Sequence, residues 1–437
     1  MAIRYISTKS TYFYDNSQGA SRELSLIFGD EVDTTNKQRG NRDEVKYRGR
    51  NGWVLSDWLM SDHPLEMYFI DVGQGDSTFI VTPRGRKILI DGGIGNEAFQ
   101  FLVWKYRLDI FDPAPVDIDL MVVSHMDNDH IAGLVSILKH PLIQVKEIIH
   151  SGIAKYRSGY NTALGDTVEQ GGNRFLVTRH NGVADLNNKD LQDVVADWRT
   201  AVNAEPGTEY RAVDSTTGVI DVGDPTVALN VLGPKLVPLP GYADPVYPWL
   251  GSEAHTVNGH SVILRLDYRN VRVLLSGDVN RQGAHYLMED PNFFKEADAH
   301  VFKAPHHGSH EYERELLEAV CPQISVVSSG ESPDHGHPRA NFLGTIGNTS
   351  RTDEPLLFST ELVAHFAVDH DAREPDADKD VDPTDPAMIG QARRRFLKRL
   401  NGIINVRTDG TYIYCARRVK ASYGFVTYKQ KAALRDQ

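Results

Sequence analysis

Cysteine is nearly missing: the 437-residue chain holds only Cys321 and Cys415, and they form no CxxC pair. Two such residues do not make a disulfide scaffold; both are expected as small buried hydrophobes in strand-like contexts. Long apolar runs are missing too. None approaches the ~20 residues of a membrane span, so no membrane span is expected. The opening "MAIRYISTKS" has no basic segment leading into an apolar core. A secretory leader is therefore not expected, and a cytoplasmic location is. Positive charge is in deficit, with 47 Lys and Arg against 59 Asp and Glu and a net charge of -12. That argues against broad nonspecific binding to nucleic acid, while local basic patches remain open. Internal repeats are absent.

What is present reads as globular, 41% hydrophobic and 24% charged. The length suggests roughly two to three domains. Residues 1–61 form a first register. "IRYIST", "STYFYD", "LSLIFGDEV", "DEVKYRG" and "GWVLSDWL" are short runs rich in β-branched and aromatic residues, separated by polar or glycine-containing breaks. They predict a small all-β module.

Residues 62–437 follow a second register. "LEMYFIDVGQGDSTFIVTP" reads as strand, glycine turn, strand, and "KILIDGG" as a strand ending in Asp91 and two glycines. "FQFLVWKYRL" has helical spacing. "IDLMVVSH" is a buried-type strand, and "IAGLVSILKH" is a helix with Ile131, Leu134, Val135 and Leu138 on one face. Strands alternating with helices predict an α/β layered fold. Residues 151–215 read as a polar insertion with one amphipathic segment through Leu191, Val194, Val195, Trp198 and Val202. The β register resumes in "TVALNVLGP", "SVILRLDY", "VRVLLSGD", "AHVFKAPHHGS" and "ISVVSSG". Residues 369–386 predict an acidic, solvated loop. "ARRRFLKRL" is a basic helix candidate carrying Arg393, Arg394, Arg395 and Lys398. "GIINVRTDGTYIYCARR" predicts a hairpin turning at Asp409-Gly410.

One stretch concentrates chemistry. "SHMDNDHIAGL" puts His125, Asp127, Asp129 and His130 at the mouth of a strand. Buried without partners, these groups would cost several kcal/mol. A divalent metal converts them into ligands. On an extended stretch the side chains of His125 and Asp127 can point the same way, and Asp129 and His130 sit where the chain turns into a helix. The cluster thus divides into two ligand pairs, as suits hydrolases that hold two ions ~3.5–4 Å apart. Further strand ends present Asp278 in "VLLSGD", His306 and His307 in "KAPHHGS", Asn258 and His260 in "VNGHS", and His335 and His337 in "DHGHP".

Together "FIDVGQGDSTFI", "ILIDGG", "VVSHMDNDHIAGL", "NGHSVILRL", "VLLSGD", "KAPHHGS", "HGHP" and "GIINVRTDGTYI" resemble metallo-β-lactamase-fold hydrolases. More narrowly they resemble the nuclease domain of the ComEC competence proteins and its free-standing relatives. The resemblance implies a metallo-β-lactamase αββα sandwich from about residue 65 onward. It implies two divalent ions held by His125, Asp127, Asp129, His130, Asp278 and His306, with Asp278 bridging. Asp127 stands where the superfamily motif HxHxDH has its second histidine. An oxygen-richer site favours Mn²⁺ or Mg²⁺ relative to Zn²⁺, so Zn, Mn and Mg stay open. Whether Asn258 or His260 ligates also stays open. His307 is read as proton donor or phosphate contact, His337 as a phosphate contact, and Asp129 as catalytic as well as ligating. Asp71, Asp76 and Asp91 are read as supporting groups that orient ligands. "NGWVLSDWL" resembles the closing strand of bacterial SH3-like domains, which implies a binding module for a protein partner, a peptide or a glycan.

The expected activity is metal-dependent hydrolysis of a phosphodiester, with nucleic acid as the substrate class implied by the resemblance. The basic segment would then be a phosphate-tracking patch, its alternative being a solvated helix face. Rival readings are a phosphodiesterase for small molecules or cell-envelope material, hydrolysis of a lactam or thioester, and a non-catalytic, metal-stabilised interaction subunit.

Overall fold

A computed structural model describes residues 2–19, 22–186, 190–330, 336–361, 383–385, 388, 402–418 and 425–433. The basic segment with Arg393, Arg394, Arg395 and Lys398, His335, and nearly all of the acidic stretch 369–386 lie outside the described residues.

The N-terminal runs pair into a curled, seven-stranded sheet in which every pairing is antiparallel. Its strands are Ile3–Ile6, Ser10–Tyr14, Arg22–Ile27, Glu31–Arg39, Arg42–Tyr47, Arg50–Leu55 and Leu59–Met60. Alternation explains which face closes: in "STYFY" Thr11 and Phe13 are buried while Ser10 and Tyr12 are exposed. Ile6, Phe13, Leu26, Val32, Val45 and Val54 make its small core. Gly52 gives Phe13 its space, because a Cβ there would strike the phenyl ring.

The rest is an α/β sandwich of two sheets. The first has nine strands, in the spatial order Glu209–Ala212, Glu147–His150, Leu120–Val123, Lys87–Ile90, Thr78–Val81, Leu65–Phe69, Ile404–Thr408, Tyr412–Arg418 and Phe425–Lys431. The second has seven: Val219–Ile220, Val227–Gly233, Ile263–Tyr268, Val271–Leu275, Val301–Lys303, Ile324–Val327 and Leu356–Ser359. The strand "LMVV" is apolar throughout because both of its faces are covered. Leu120 and Val122 enter the layer between the sheets with Met67, Ile80, Leu264 and Val273. Met121 and Val123 pack outward with the helices Glu97–Tyr106 and Asn128–Leu138. On the far side Leu287, Leu317 and Phe342, from three helices, cover Leu274 and Phe302 of the second sheet. The order is therefore helix, sheet, sheet, helix. Among the described residues no helix is long and apolar enough to cross a membrane.

Two expectations are modified. The segment read as an insertion is woven into the sandwich. Its helix Asp193–Ala204 buries Val195, Trp198 and Val202 against the first sheet, and Glu209–Ala212 adds a parallel edge strand to Glu147–His150. The same apolar stripe that made the helix amphipathic needs this cover. Cys415 is a buried strand residue, as expected, but Cys321 is half-buried and caps the helix Arg314–Val320 in a left-handed conformation, φ 47°.

Parallel pairing is what positions the chemistry. Lys87–Ile90 and Leu120–Val123 run parallel, so the residues that follow them, Asp91 and Ser124-His125, emerge side by side. In the second sheet Val271–Leu275 and Val301–Lys303 run parallel, delivering Asp278 and His306-His307 at matching ends.

Candidate metal centre

His125 follows the first-sheet strand after Ser124, and Asp129 and His130 occupy the first turn of the helix Asn128–Leu138. That helix lies tight on the "DGG" turn. Gly92 N donates to His130 O at 2.7 Å and Gly133 N to Gly93 O at 3.0 Å; a Cβ on Gly92 would strike the backbone nitrogen of Leu134. Close approach of backbone to backbone is the physical need for glycine here.

The groups converge. His125, His130 and Asp278 can each offer a ligand atom within 4.8 Å of the others, and so can Asp129, His130 and His307. The Asp278 carboxylate lies between two rings, 3.4 Å from His130 Nε2 and 3.0 Å from His307 Nε2. Asp129 Oδ2 is 3.5 Å from His307 Nε2. The Nε2 atoms of His125, His130 and His307 and Oδ1 of Asp278 are buried with no hydrogen-bond partner. Such atoms are costly in an interior and fit a cation that would take them as ligands.

Behind the cluster the ligands are held by a second set of residues. Asp91 accepts from Ser124 N at 2.8 Å and Ser124 Oγ at 2.6 Å, and pairs with His130 Nδ1 at 2.8 Å. This leaves Nε2 of His130 turned to the cluster. Asp91 does this from a left-handed backbone, φ 55°. Lys303 is buried, pairs with Asp76, donates to Gly277 O at 3.1 Å and stands 3.8 Å from Asp278 Oδ1. Its partnership with Asp76 was not anticipated. The signal was a lysine in the otherwise buried, apolar run "AHVFKAP".

Electrostatics follow from this packing. Burial alone would lower His130, but the Asp278 and Asp91 carboxylates outweigh it and hold the imidazolium well above its ordinary range. Burial likewise opposes protonation of His307, yet Asp278 and Asp76 push it up to about 10. The same rings depress Asp278 far below the usual carboxylate range despite its burial. His125, buried beside another imidazole, is lowered. Without metal the cluster thus balances carboxylates with protons on imidazoles, the protons that a divalent ion displaces.

The remaining sequence candidates are distributed as follows. Asp127 faces the rim: its Oδ1 pairs with Lys155 Nζ at 2.8 Å and its Oδ2 is 3.9 Å from His125 Nε2. In the "HHGS" turn it is His307, not His306, that joins Asp278 and Asp129. Both residues are left-handed, φ 52° and 46°, and this sharp turn points the two rings apart. His306 is half-buried, and its ring centroid lies 6.3 Å from that of His307 and 6.0 Å from that of His337. His337 is buried 6.2 Å from His307 in a stacked arrangement. His260 turns away from the cluster, pairing with the Pro248 carbonyl at 2.8 Å; burial lowers its pKa to about 4. Asn258 is buried with Oδ1 unpartnered. Asp76 belongs to the cluster, with Asp278 and His307. Asp71 is in none of these groups and accepts from Gly73 N at 3.4 Å.

Comparison with known proteins fits this geometry. Residues 70–330 match the family described as the Metallo-beta-lactamase superfamily. ComE operon protein 3 of Bacillus subtilis (strain 168) is 24% identical over 307 residues, which cover 66% of this chain and 32% of that relative. The chain therefore spans less than two thirds of the relative's length.

Proposed function

The chain belongs to the metallo-beta-lactamase superfamily, and on that premise we propose that it is a metal-dependent phosphodiesterase acting on nucleic acid. The observation that carries the reading is the convergence of three buried, unpartnered imidazole nitrogens on the Asp278 carboxylate. His125, His130 and Asp278 would hold one divalent ion, and Asp129 and His307 a second, with Asp278 between them. Bound ions would polarise the phosphorus centre and supply an activated water near neutral pH.

The protein's own groups do the rest. Asp91 holds His130 in the tautomer that leaves Nε2 available. Lys303 and Asp76 hold Asp278 from behind. Asp129, about a quarter exposed at 27% and held low by the His130 and His307 rings despite its burial, orients the attacking water by accepting a hydrogen bond from it. Lys155, from the segment that folds over the rim, draws a phosphate oxygen to the mouth. His306, whose Nδ1 is buried without a partner, delivers a proton to the leaving oxygen, with His337 beside it as a phosphate contact. Anionic substrate next to His306 favours the protonated ring that this step needs. The N-terminal sheet is assigned to partner binding rather than chemistry, because among the described residues it contributes none to the cluster.

Cleavage of single-stranded DNA, double-stranded DNA, RNA and bis-nitrophenyl phosphate, each titrated with Mn²⁺, Zn²⁺ and Mg²⁺, tests the reading. Metal-dependent cleavage of a polynucleotide that disappears in Asp278→Asn supports it. Turnover of the small ester alone would replace nucleic acid with a small-molecule substrate. No phosphodiester turnover with two ions bound would remove the reading altogether.

A further inference from the structure

A cavity of about 920 Å³ lies between the N-terminal sheet and the nine-stranded sheet, within the ~300–1,000 Å³ range of small-molecule sites. It opens at the far end of the strands from the metal cluster. Lys87, at one end of its strand, lines the cavity, whereas Asp91, just past the other end, orients His130. No cluster residue lines it.

Its floor is polar and mutually paired. Glu66 meets Lys105 at 3.1 Å and His63 at 3.2 Å, and Arg407 meets Asp30 at 2.9 Å and Tyr68 OH at 2.9 Å. The walls differ. Lys46, Arg84, Lys87, Arg107 and Arg418 line the cavity, and among the described residues none has a carboxylate within ion-pair distance. Glu31 and Asp33 are the acids on those walls without an ion pair among the described residues. The walls thus carry an excess of positive charge in a chain whose net charge is -12. Mutual repulsion of unpaired cations across a concave surface is unfavourable unless an anion occupies it, and such a surface concentrates anions. Aromatic surface adjoins the cations. Trp104 and Tyr106 line the same cavity, with Lys87 Nζ 5.7 Å from the Tyr106 ring. Cations beside rings in a site of this size suit phosphates joined to a flat, stacking base.

We infer that this cavity binds a nucleoside diphosphate, its two phosphates against the lysines and arginines of the walls and its base against Tyr106, beside the Trp104 ring that the Arg48 guanidinium covers at 4.3 Å. Two phosphates bring about three negative charges near neutral pH, opposite in sign to the excess positive charge of the walls among the described residues. Because both modules build the walls, an occupant stabilises their docking and raises the melting temperature of the whole chain.

Isothermal titration of the full chain with ADP in EDTA tests this without the metal centre. The expected result is one-site binding, a rise in melting temperature with ADP, and at least a tenfold loss of affinity in Lys46→Glu/Arg84→Glu. Both residues are exposed, so the unliganded variant should melt where the parent does. AMP should bind more weakly than ADP. Absence of binding at millimolar ADP, or equal affinity in the charge-reversed variant, would overturn the site. Pyrophosphate binding as tightly as ADP would overturn the assignment of a base.

Discussion

Two buried polar networks lie at opposite ends of the same strands and are built by opposite rules. At the module joint, Arg407 donates to Phe28 O, Asp30 and Tyr68, while Glu66 takes Lys105, His63 and Tyr68; of these groups one atom, Nε of Arg407, is left without a partner. At the metal centre Nε2 of His125, of His130 and of His307, and one oxygen each of Asp76 and Asp278, are left without hydrogen bonds. A satisfied network fixes two bodies together. An unsatisfied one of mixed imidazole and carboxylate, equally buried, is a site that needs an ion. Composition alone does not separate them; the count of orphaned atoms does.

Breaking the unsatisfied network should have the largest effect and should fall on chemistry. Asp278→Ala removes the carboxylate that lies between both rings, so metal-dependent hydrolysis should drop to background while near-ultraviolet circular dichroism keeps its native form. Retained turnover would show that the ions sit elsewhere. Breaking the satisfied network should fall on stability. Arg407→Met leaves Asp30 and Glu66 short of a buried counter-charge, and loss of one partner of a buried pair costs ~3–5 kcal/mol. Denaturant unfolding should show that loss, with activity per folded molecule unchanged.

A smaller effect separates support from ligation. Asp91→Asn keeps the shape but weakens the hold on His130, and changes of this kind cost ~10–100-fold in metal affinity or activity. An effect as large as that of Asp278→Ala would make Asp91 a ligand. The smallest effect is on pH. His307 titrates at about 10 in the metal-free fold, against ~6.5 when unfolded. Its folded value is raised, so its contribution is complete below ~6.5 and is lost as pH rises through 10. Asp278 is depressed, so its contribution is present above ~3.9 and is lost as pH falls through its folded value. Melting temperatures of the metal-free protein should therefore fall more between pH 6.5 and 10 than those of His307→Gln. At the joint, Glu66 is held low, against its burial, by Lys105 and Arg407, and Arg407 is held high, against its burial, by Tyr68, Glu66 and Asp30. That network should contribute no matching slope across the same range.

Much of this arrangement is legible in the sequence because periodicity and spacing encode it. The alternating outward and inward residues of "LMVV" and "LEMYF" fix two covered faces, and Asp-Gly at 409–410 fixes the last hairpin, with Gly410 at φ 86°. His125 and Asp278 follow strands whose parallel neighbours bring Asp91 and His307 beside them, and Asp129 and His130 open the helix that follows the first. Other features are set by dihedral angles and long-range packing. Which histidine of "HHGS" faces Asp278 depends on two successive left-handed residues, a choice no spacing rule gives. Asp127 is drawn to the rim by Lys155, 28 positions away. His260 is taken by the Pro248 carbonyl of the short strand Tyr247–Pro248, and the helix Asp193–Ala204 finds its cover only after the sheet exists.

The joint also sets a timetable. Arg407 and the Phe28 carbonyl it binds are 379 positions apart, and the strand Leu65–Phe69 completes its pairing only with Ile404–Thr408. At ~5–20 residues per second of synthesis, tens of seconds separate the emergence of the two sides. Throughout that interval one edge of Leu65–Phe69, whose Leu65, Met67 and Phe69 make an apolar face, waits without its neighbour. A nascent chain paused in that window offers a ready template for mispairing with another copy, so synthesis rate as well as sequence decides how much of this protein reaches its folded form.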